Sequence, residues 1–368
     1  MWVGRSSSER KPKRAVPDWV PEPVIDPDII PEASHGGVSP ERSTEGLIDL
    51  SLSTNPFGPP PYLESALEDA RAEATRYPDR PQKDLAEQIG SRLGLDPEEV
   101  IVGGSASELL RAAITAFGMG RSVLLPRFTY EEYNRVAMLA RARVGRVPMP
   151  GFAFSVLAAT KMIREESMVV LPNPGTPFGH CLGKRELQAL VEAAEERHAI
   201  VLVDESYLPF VEDGESAAGL SPSVVTVFSW SKVLGTPGMP FGHATGHPAV
   251  LRGIRTQLLP WSVGAVGRHL ALRTLENEKW VRESLEKTRR LSAEVRKRLH
   301  ATTQANYFAV ESVSARKLTQ DLRTRGFAVR DLTPLGLPRH VRFGLRDRET
   351  TFRFLDVLKS LTRRLKAE

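Results

Sequence analysis

Ser229-Trp230-Ser231-Lys232 follows a short apolar run, Val224-Val225-Thr226-Val227-Phe228, and one candidate strand earlier the chain reads Val201-Leu202-Val203-Asp204-Glu205-Ser206-Tyr207. An acid therefore closes one buried-strand candidate, and a lysine stands just past the end of the next. Together they are suited to imine chemistry. A lysine amine condenses with an aldehyde, and a carboxylate keeps a pyridine nitrogen protonated so that the ring can accept electrons. A pyridoxal-phosphate site requires both groups. Ser229 and Ser231 add hydroxyls that can donate to a phosphate. Taken singly, each piece has a plainer reading: Asp is common at strand ends, and Ser-x-Ser-Lys is most often just a loop.

Ligands of open parallel sheets collect at the carboxyl ends of the strands, and further candidates gather there. Gly103-Gly104-Ser105-Ala106-Ser107 separates a strand from a helix N-terminus, whose amides and dipole suit a phosphate. On its own it would be a tight turn. Pro172 to Gly179 is so rich in Pro and Gly that its backbone must be irregular. Tyr207, three residues after Asp204, places a phenol near a ring oxygen. Tyr130 can stack on an aromatic ring or simply fill the core. Arg342 and Arg346 lie in or just after a C-terminal strand. A guanidinium fork is the best side-chain clamp for a carboxylate, though Arg346 reads better as a surface ion pair.

Alternating elements must position these residues. Helices are expected over 62–76, 82–94, 103–117, 130–142 and 184–198. Strands are expected over 99–102, 122–125, 142–147, 168–171, 199–204 and 224–228. Short apolar strands spaced by amphipathic helices imply an α/β fold with a mostly parallel sheet covered on both faces. A helical region over 264–300 leads to a smaller α+β domain: strand 306–310, helix 314–326, strand 341–344 and helix 348–366. The expected division is an N-terminal arm over 1–45, a large domain over 46–265, and a bridging helix with the small domain over 266–368. The arm is expected to be partly disordered or docked on a partner.

With 368 residues the chain can bury a sizeable core, and 41% hydrophobic with 26% charged residues is ordinary for a soluble globular protein. The net charge of +5 is spread along the chain, except where Arg5, Arg10, Lys11, Lys13 and Arg14 face only Glu9. So short a basic tail does not argue for nucleic-acid binding. The single cysteine, Cys181, cannot form an intramolecular disulfide, which suits a reducing cytoplasm. No metal-ligand spacing, membrane-length apolar run or secretory leader is read.

From about residue 35 to the end, the chain resembles the fold-type-I pyridoxal-phosphate enzymes of the aminotransferase class I/II group. The resemblance rests on the Asp204 and Lys232 segments together with Asn55-Pro56-Phe57-Gly58-Pro59 and Arg76-Tyr77-Pro78-Asp79. His35-Gly36-Gly37, Ile48-Asp49-Leu50-Ser51, Asn55-Pro56-Phe57-Gly58-Pro59, Pro260-Trp261-Ser262-Val263 and Val341-Arg342-Phe343-Gly344-Leu345-Arg346 look like threonine-phosphate decarboxylases, and Arg76-Tyr77-Pro78-Asp79 matches both these and the histidinol-phosphate aminotransferases. The resemblance implies that Lys232 is the Schiff-base lysine, that Asp204 pairs with the pyridine nitrogen, and that Tyr207 and the position of Thr176 serve the ring hydroxyl. Tyr130 would stack on the ring. Ser229, Ser231, Ser105 and Ala106 would hold the phosphate, with Tyr77 reaching it from the other subunit of a homodimer. Arg342, Asn306, Asn55 and His35 would face the substrate, Arg342 on its α-carboxylate.

Two positions depart from the family pattern. Thr176 stands where the group has a second Asn in its Asn-Pro-x-Asn-Pro-Thr-Gly loop, with Phe178 in place of the Thr. Pro240 stands where the group has a phosphate-binding Arg. Losing such a charge-assisted contact costs roughly 1.5–3 kcal/mol of anchoring unless another cation replaces it, and His243 is the nearest candidate. The implied activity is transamination of an α-amino acid by a divergent member, in specialised metabolism. The alternatives are Cα decarboxylation of an O-phospho-amino acid, β- or γ-elimination with C–C bond formation, and a non-catalytic degenerate fold.

Overall fold

The computed structural model describes residues 30, 36–37, 46–78 and 82–365. The chain runs β1 (Ile48–Asp49), α1 (Leu63–Glu73), α2 (Lys83–Leu93), β2 (Val100–Gly103), α3 (Ala106–Gly118), β3 (Ser122–Pro126), α4 (Glu131–Leu139) and β4 (Arg143–Val147). It continues through α5 (Val156–Met162), β5 (Met168–Pro172), α6 (Lys184–Glu195), β6 (Ile200–Asp204), β7 (Val224–Ser229), α7 (Trp230–Leu234), β8 (Gly242–Gly246) and α8 (Pro248–Arg255). The last third holds α9 (Ala265–Glu276), α10 (Glu278–Leu299), β9 (Tyr307–Glu311), α11 (Ala315–Arg323), β10 (Phe327–Ala328), β11 (Arg330–Asp331), β12 (His340–Gly344) and α12 (Arg348–Leu365).

Seven strands form the main sheet in the order β2-β8-β7-β6-β5-β3-β4, and β8 alone runs antiparallel to its neighbours. Alternate residues of the parallel strands feed two cores. Val123, Leu125, Val170, Leu202 and Val225 pack with α3, α4 and α8, whereas Leu124, Val169, Leu171, Val201 and Val203 pack with α5 and α6. Both faces are buried, so these strands read as continuous apolar runs. The protein is thus an α/β chain with a mostly parallel sheet between helices.

Strand β8, with two glycines in Gly242-His243-Ala244-Thr245-Gly246, has little propensity of its own and was not expected. It forms because β2 and β7 both pair with it, and because Thr245 and Thr226 share a 2.7 Å hydroxyl–hydroxyl bond. Gly242 has no room for a side chain. A Cβ there would lie 2.6 Å from the Phe228 carbonyl oxygen and 2.9 Å from the Ala106 nitrogen. Two helices, α5 and α8, also escaped the pattern reading, and the helical stretch over 264–300 is two helices that meet at Asn277.

A second core collects Phe308, Leu318, Leu322, Phe327, Val341, Phe343, Phe354 and Leu358 around the antiparallel sheet β11-β12-β9. Residues just past the expected boundary at 45/46 belong to this unit. β1 pairs in parallel with β10, and Leu50 is buried in the second core. The reason is local: Ile48 and Leu50 amides donate to Gly326 and Ala328 carbonyls, each at 2.8 Å. Of the proposed arm, 1–45, all but residues 30, 36 and 37 lie outside the described residues.

The turn after β6 sends neighbouring side chains to opposite sides. Asp204 faces a cavity at the strand ends, and Glu205 is buried behind them. Ser216 donates its hydroxyl to Glu205 and Ala217 donates its amide, each at 2.6 Å. Burial pushes the Glu205 carboxyl up to about 7, against the lowering effect of those bonds and with help from the Asp204 charge. A raised folded-state value means that the contribution of Glu205 is complete below about 4.5 and is lost as pH rises through about 7. Glu205→Gln, which keeps the acceptor, should match the parent in denaturant stability at pH 4. At pH 8 it should exceed the parent by up to roughly 3 kcal/mol. An equal difference at both pH values would refute the buried-acid account.

Candidate active site

A cavity of about 250 Å³ opens where the carboxyl ends of β5, β6 and β7 meet the small antiparallel sheet. Ten of the expected residues line it: Ser105, Ala106, Tyr130, Thr176, Asp204, Tyr207, Ser229, Ser231, Lys232 and Arg342. Pro240 lines it as well.

Lys232 sits in the short helix α7, which starts directly from β7 and ends at Gly235 in a left-handed conformation (φ 68°). Its Nζ lies 5.9 Å from the centroid of the Tyr207 ring. At the end of β6, Asp204 is held by two donors. Tyr133 Oη donates to Oδ2 at 2.6 Å, and the Ser206 amide donates to Oδ1 at 3.0 Å. Burial, reinforced by the Asp204 charge, keeps the Tyr133 phenol well above its usual range, so it stays a donor. Its ring meets Tyr130 edge-on, with centroids 5.4 Å apart. Burial also raises the Tyr130 phenol, and a bond to Ser107 works against that.

The N-terminus of α3 faces the same cavity. Ser105 caps it by accepting from the Glu108 amide at 3.0 Å, and Glu108 reaches back to the Gly104 amide at 2.8 Å. Gly104 is required by close approach, because a Cβ would lie 2.3 Å from the Ser262 carbonyl oxygen. Ser105, Ser107, Ser229 and Ser231 bring hydroxyls to this end. The helix dipole adds partial positive charge.

The guanidinium cations of the cavity come from the small sheet. Arg342 on β12 is 4% exposed, and its Nε has no hydrogen-bond partner among the described residues. Arg330 on β11 is its cross-strand register partner and also lines the cavity. Burial and the neighbouring Arg342 lower the Arg330 guanidinium to about 10, which leaves it charged at neutral pH. It pairs with Glu131 at 4.0 Å. Two like charges side by side in a buried sheet are unfavourable unless an anion joins them.

Three expected residues fall elsewhere. Asn55 is corrected from a substrate contact to a buried structural amide. Its Nδ2 donates to the Val233 carbonyl and to Ser284 Oγ, and its Oδ1 accepts from the Phe57 amide and the Thr288 hydroxyl. Asn306 is fully buried outside the cavity lining, with its Nδ2 donating to the Ser53 carbonyl at 3.1 Å. Tyr77 is 78% exposed, stacks on Trp261 with centroids 4.4 Å apart, and stands away from the cavity. His35 lies outside the described residues.

His243 does not replace the cation missing at Pro240. It points to the far side of the sheet, where its Nδ1 accepts from Trp230 Nε1 at 3.0 Å. Burial lowers its imidazole to about 4, so the ring is neutral at physiological pH. Tyr133 and Arg330 were not singled out from the sequence. Tyr133 was within reach, since it is three residues after Tyr130 on one helix face. Arg330 belongs to no motif, and only the register of β11 against β12 reveals it.

The sequence profile described as Aminotransferase class I and II matches residues 45–358. The chain belongs to this family. It is therefore an enzyme of the pyridoxal-phosphate-dependent aminotransferase group, and its relatives carry matching names. It is 31% identical over 339 residues to a histidinol-phosphate aminotransferase of Chlorobaculum tepidum, covering 87% of this chain and 96% of the relative. The histidinol-phosphate aminotransferase of Clostridium acetobutylicum superposes with a TM-score of 0.78 at 22% identity, covering 87% of this chain and all (100%) of that one. The L-threonine-O-3-phosphate decarboxylase of Porphyromonas gingivalis superposes with a TM-score of 0.73 at 18% identity, covering 86% and 98%. At these identities the two structural likenesses speak for the fold. Among the described residues no helix is long and apolar enough to cross a membrane, and no cluster of His, Cys, Asp and Glu could hold a metal ion.

One end of the cavity presents hydroxyls and a helix terminus, and Pro240, where the resemblance led to the expectation of a phosphate-binding Arg, lines the cavity as well. Pro240→Arg should tighten the binding of pyridoxal phosphate by about ten-fold or more, read by equilibrium titration. Unchanged or weaker affinity would show that another group already fills that role.

Proposed function

We propose that this chain binds pyridoxal 5'-phosphate in the strand-end cavity and transfers the amino group of a small substrate carrying two anionic groups. The observation that carries the reading is the convergence on one cavity of Lys232, a doubly hydrogen-bonded Asp204, and the buried Arg330–Arg342 pair. The residues present fit the cofactor. The α3 N-terminus with Ser105, Ala106, Ser229 and Ser231 would hold its phosphate, Tyr130 would cover its ring, and Tyr207 with Thr176 would serve its ring hydroxyl. Bound there, pyridoxal phosphate supplies a sink for the electron pair left when a bond at the substrate Cα breaks.

The protein's own groups do the rest. Asp204, oriented by its bonds from Tyr133 and Ser206, would hold a proton on the ring nitrogen. Arg342 takes the α-carboxylate and fixes which Cα bond is aligned for cleavage; Arg330 takes the second anion, a carboxylate or a phosphate. Lys232 Nζ would serve as the base and acid that moves the substrate Cα proton. An Arg342 that set the bond to the carboxylate for cleavage, rather than the Cα–H bond, would lead to carbon dioxide release, which is the decarboxylase alternative. Single-turnover spectra with amino acids bearing a second anion separate the two. Conversion of the cofactor to its amine form supports transfer, whereas carbon dioxide release with the starting spectrum restored supports decarboxylation.

The reading includes a homodimer in which the partner subunit's Tyr77 completes the phosphate site. Tyr77 and Leu259 are 78% and 64% exposed, and Tyr77 stacks on Trp261 beside Ser262, which packs on Gly104 at the α3 N-terminus. Large apolar side chains grouped in this way mark an association surface. Sedimentation should find a dimer at micromolar concentration, and Trp261→Ala should shift it towards monomer. A parent chain that is monomeric throughout would end this part of the reading.

Lys232→Ala tests the core of the proposal. The parent with added pyridoxal phosphate should show the near-visible absorbance of a lysine-bound cofactor, and the variant should lack both that band and turnover. An active Lys232→Ala enzyme would disprove the assignment.

A further inference from the structure

Tyr307 was not expected to matter for chemistry, and it does not line the cavity. It opens β9, whose next residue, Phe308, packs into the small-unit core, so the Tyr307 ring turns the other way, towards the site. It is fully buried, and that burial holds its phenol far above the usual range, so it remains protonated. Three cavity-lining residues from three separate segments touch it. Its ring meets Tyr207 edge-on, with centroids 5.0 Å apart. The Arg342 guanidinium lies over the same ring at 5.1 Å. Its hydroxyl lies 3.3 Å from Thr176 Oγ1 and donates to the Gly175 carbonyl at 3.1 Å.

A phenol has one proton. If that proton goes to the Gly175 carbonyl, the 3.3 Å contact is made by the Thr176 hydroxyl donating to Tyr307 Oη. Thr176 has no other side-chain hydrogen bond among the described residues, so its oxygen then meets the cavity as an acceptor. The amide that the family carries at this position can instead donate. The ring, meanwhile, restrains Arg342, whose Nε has no hydrogen-bond partner among the described residues to fix it. A cation over an aromatic face is worth on the order of 0.5–2 kcal/mol when desolvated.

We propose that Tyr307 is a positioning residue with two separable roles: its ring orients Arg342 for the substrate carboxylate, and its hydroxyl takes the Thr176 proton, so that Thr176 faces the cofactor ring oxygen as an acceptor. The first role rests on the proposed substrate site at Arg342, and the second on the proposed cofactor site.

Two variants separate the roles. Tyr307→Phe keeps the ring and removes the hydroxyl. Tyr307→Leu removes both. Calorimetry on the cofactor-free protein, with succinate as the probe, reads the first role. Phe should bind succinate as the parent does, within about two-fold, and Leu should bind it about five-fold or more weakly. The second role is read in the loaded protein by the pH midpoint of the bound-cofactor spectrum. With Thr176 free to donate, the ring oxygen anion is stabilised, and the midpoint of Tyr307→Phe should move to lower pH by about half a unit or more. An unmoved midpoint overturns the hydroxyl role, and equal succinate affinity in Leu and parent overturns the ring role. Should Tyr307→Leu not fold, the midpoint of Tyr307→Phe still decides the hydroxyl role, and the KM of Tyr307→Trp decides the ring role. A parent that takes up no pyridoxal phosphate defeats the cofactor reading and the hydroxyl role that depends on it, while the succinate comparison continues to judge the ring.

Discussion

The buried amide of Asn55 joins three segments that are distant in sequence. Through Nδ2 it reaches the Val233 carbonyl in the lysine-bearing helix and Ser284 in α10, and through Oδ1 it accepts from Thr288 one turn further along. Its own backbone amide donates to the Lys232 carbonyl at 2.8 Å. Each bond is made out of water, where leaving any one donor or acceptor unmatched would cost about 1–3 kcal/mol. The amide therefore has little freedom, and neither does the helix start that carries Lys232. These bonds tie the segment around Asn55, the helix that carries Lys232 and α10 to one another.

Electrostatics divide this cavity into two ends. Hydroxyls and a helix terminus define one end, where a phosphate can be bound without a side-chain cation. The other end concentrates two guanidinium groups from paired strands, with Asp204 and Lys232 between the chemistry of the two. The register of β11 against β12 is what sets Arg330 beside Arg342, and the Phe308, Phe343 and Phe354 core beneath holds that sheet in place.

Much of this was legible in the chain because its chemistry is local. Lys232, Ser229 and Ser231 share one turn, and Asp204 and Tyr207 share another; both turns follow apolar runs that can only be buried strands. Local patterns failed where the decisive relation is long-range. Asn55 lies in an Asn-Pro-Phe-Gly-Pro string that suggests a ligand loop, yet apart from the Phe57 amide its side-chain partners are more than 170 residues away. Arg330 is visible only through strand register, and β8 only through the two neighbours that accept it. His243 stands close to Pro240 in sequence, but period-two alternation turns its side chain to the opposite face of the sheet.

Trp230 carries an optical consequence. It lies two residues before Lys232, and its indole N–H is bonded to the neutral imidazole of His243, with ring centroids 5.8 Å apart. An indole so placed can pass excitation to a chromophore on Lys232 and is sensitive to the charge of the ring beside it. The chain thus holds a native fluorophore on the rear of its reactive helix, from which the occupancy of the front can be followed without a label.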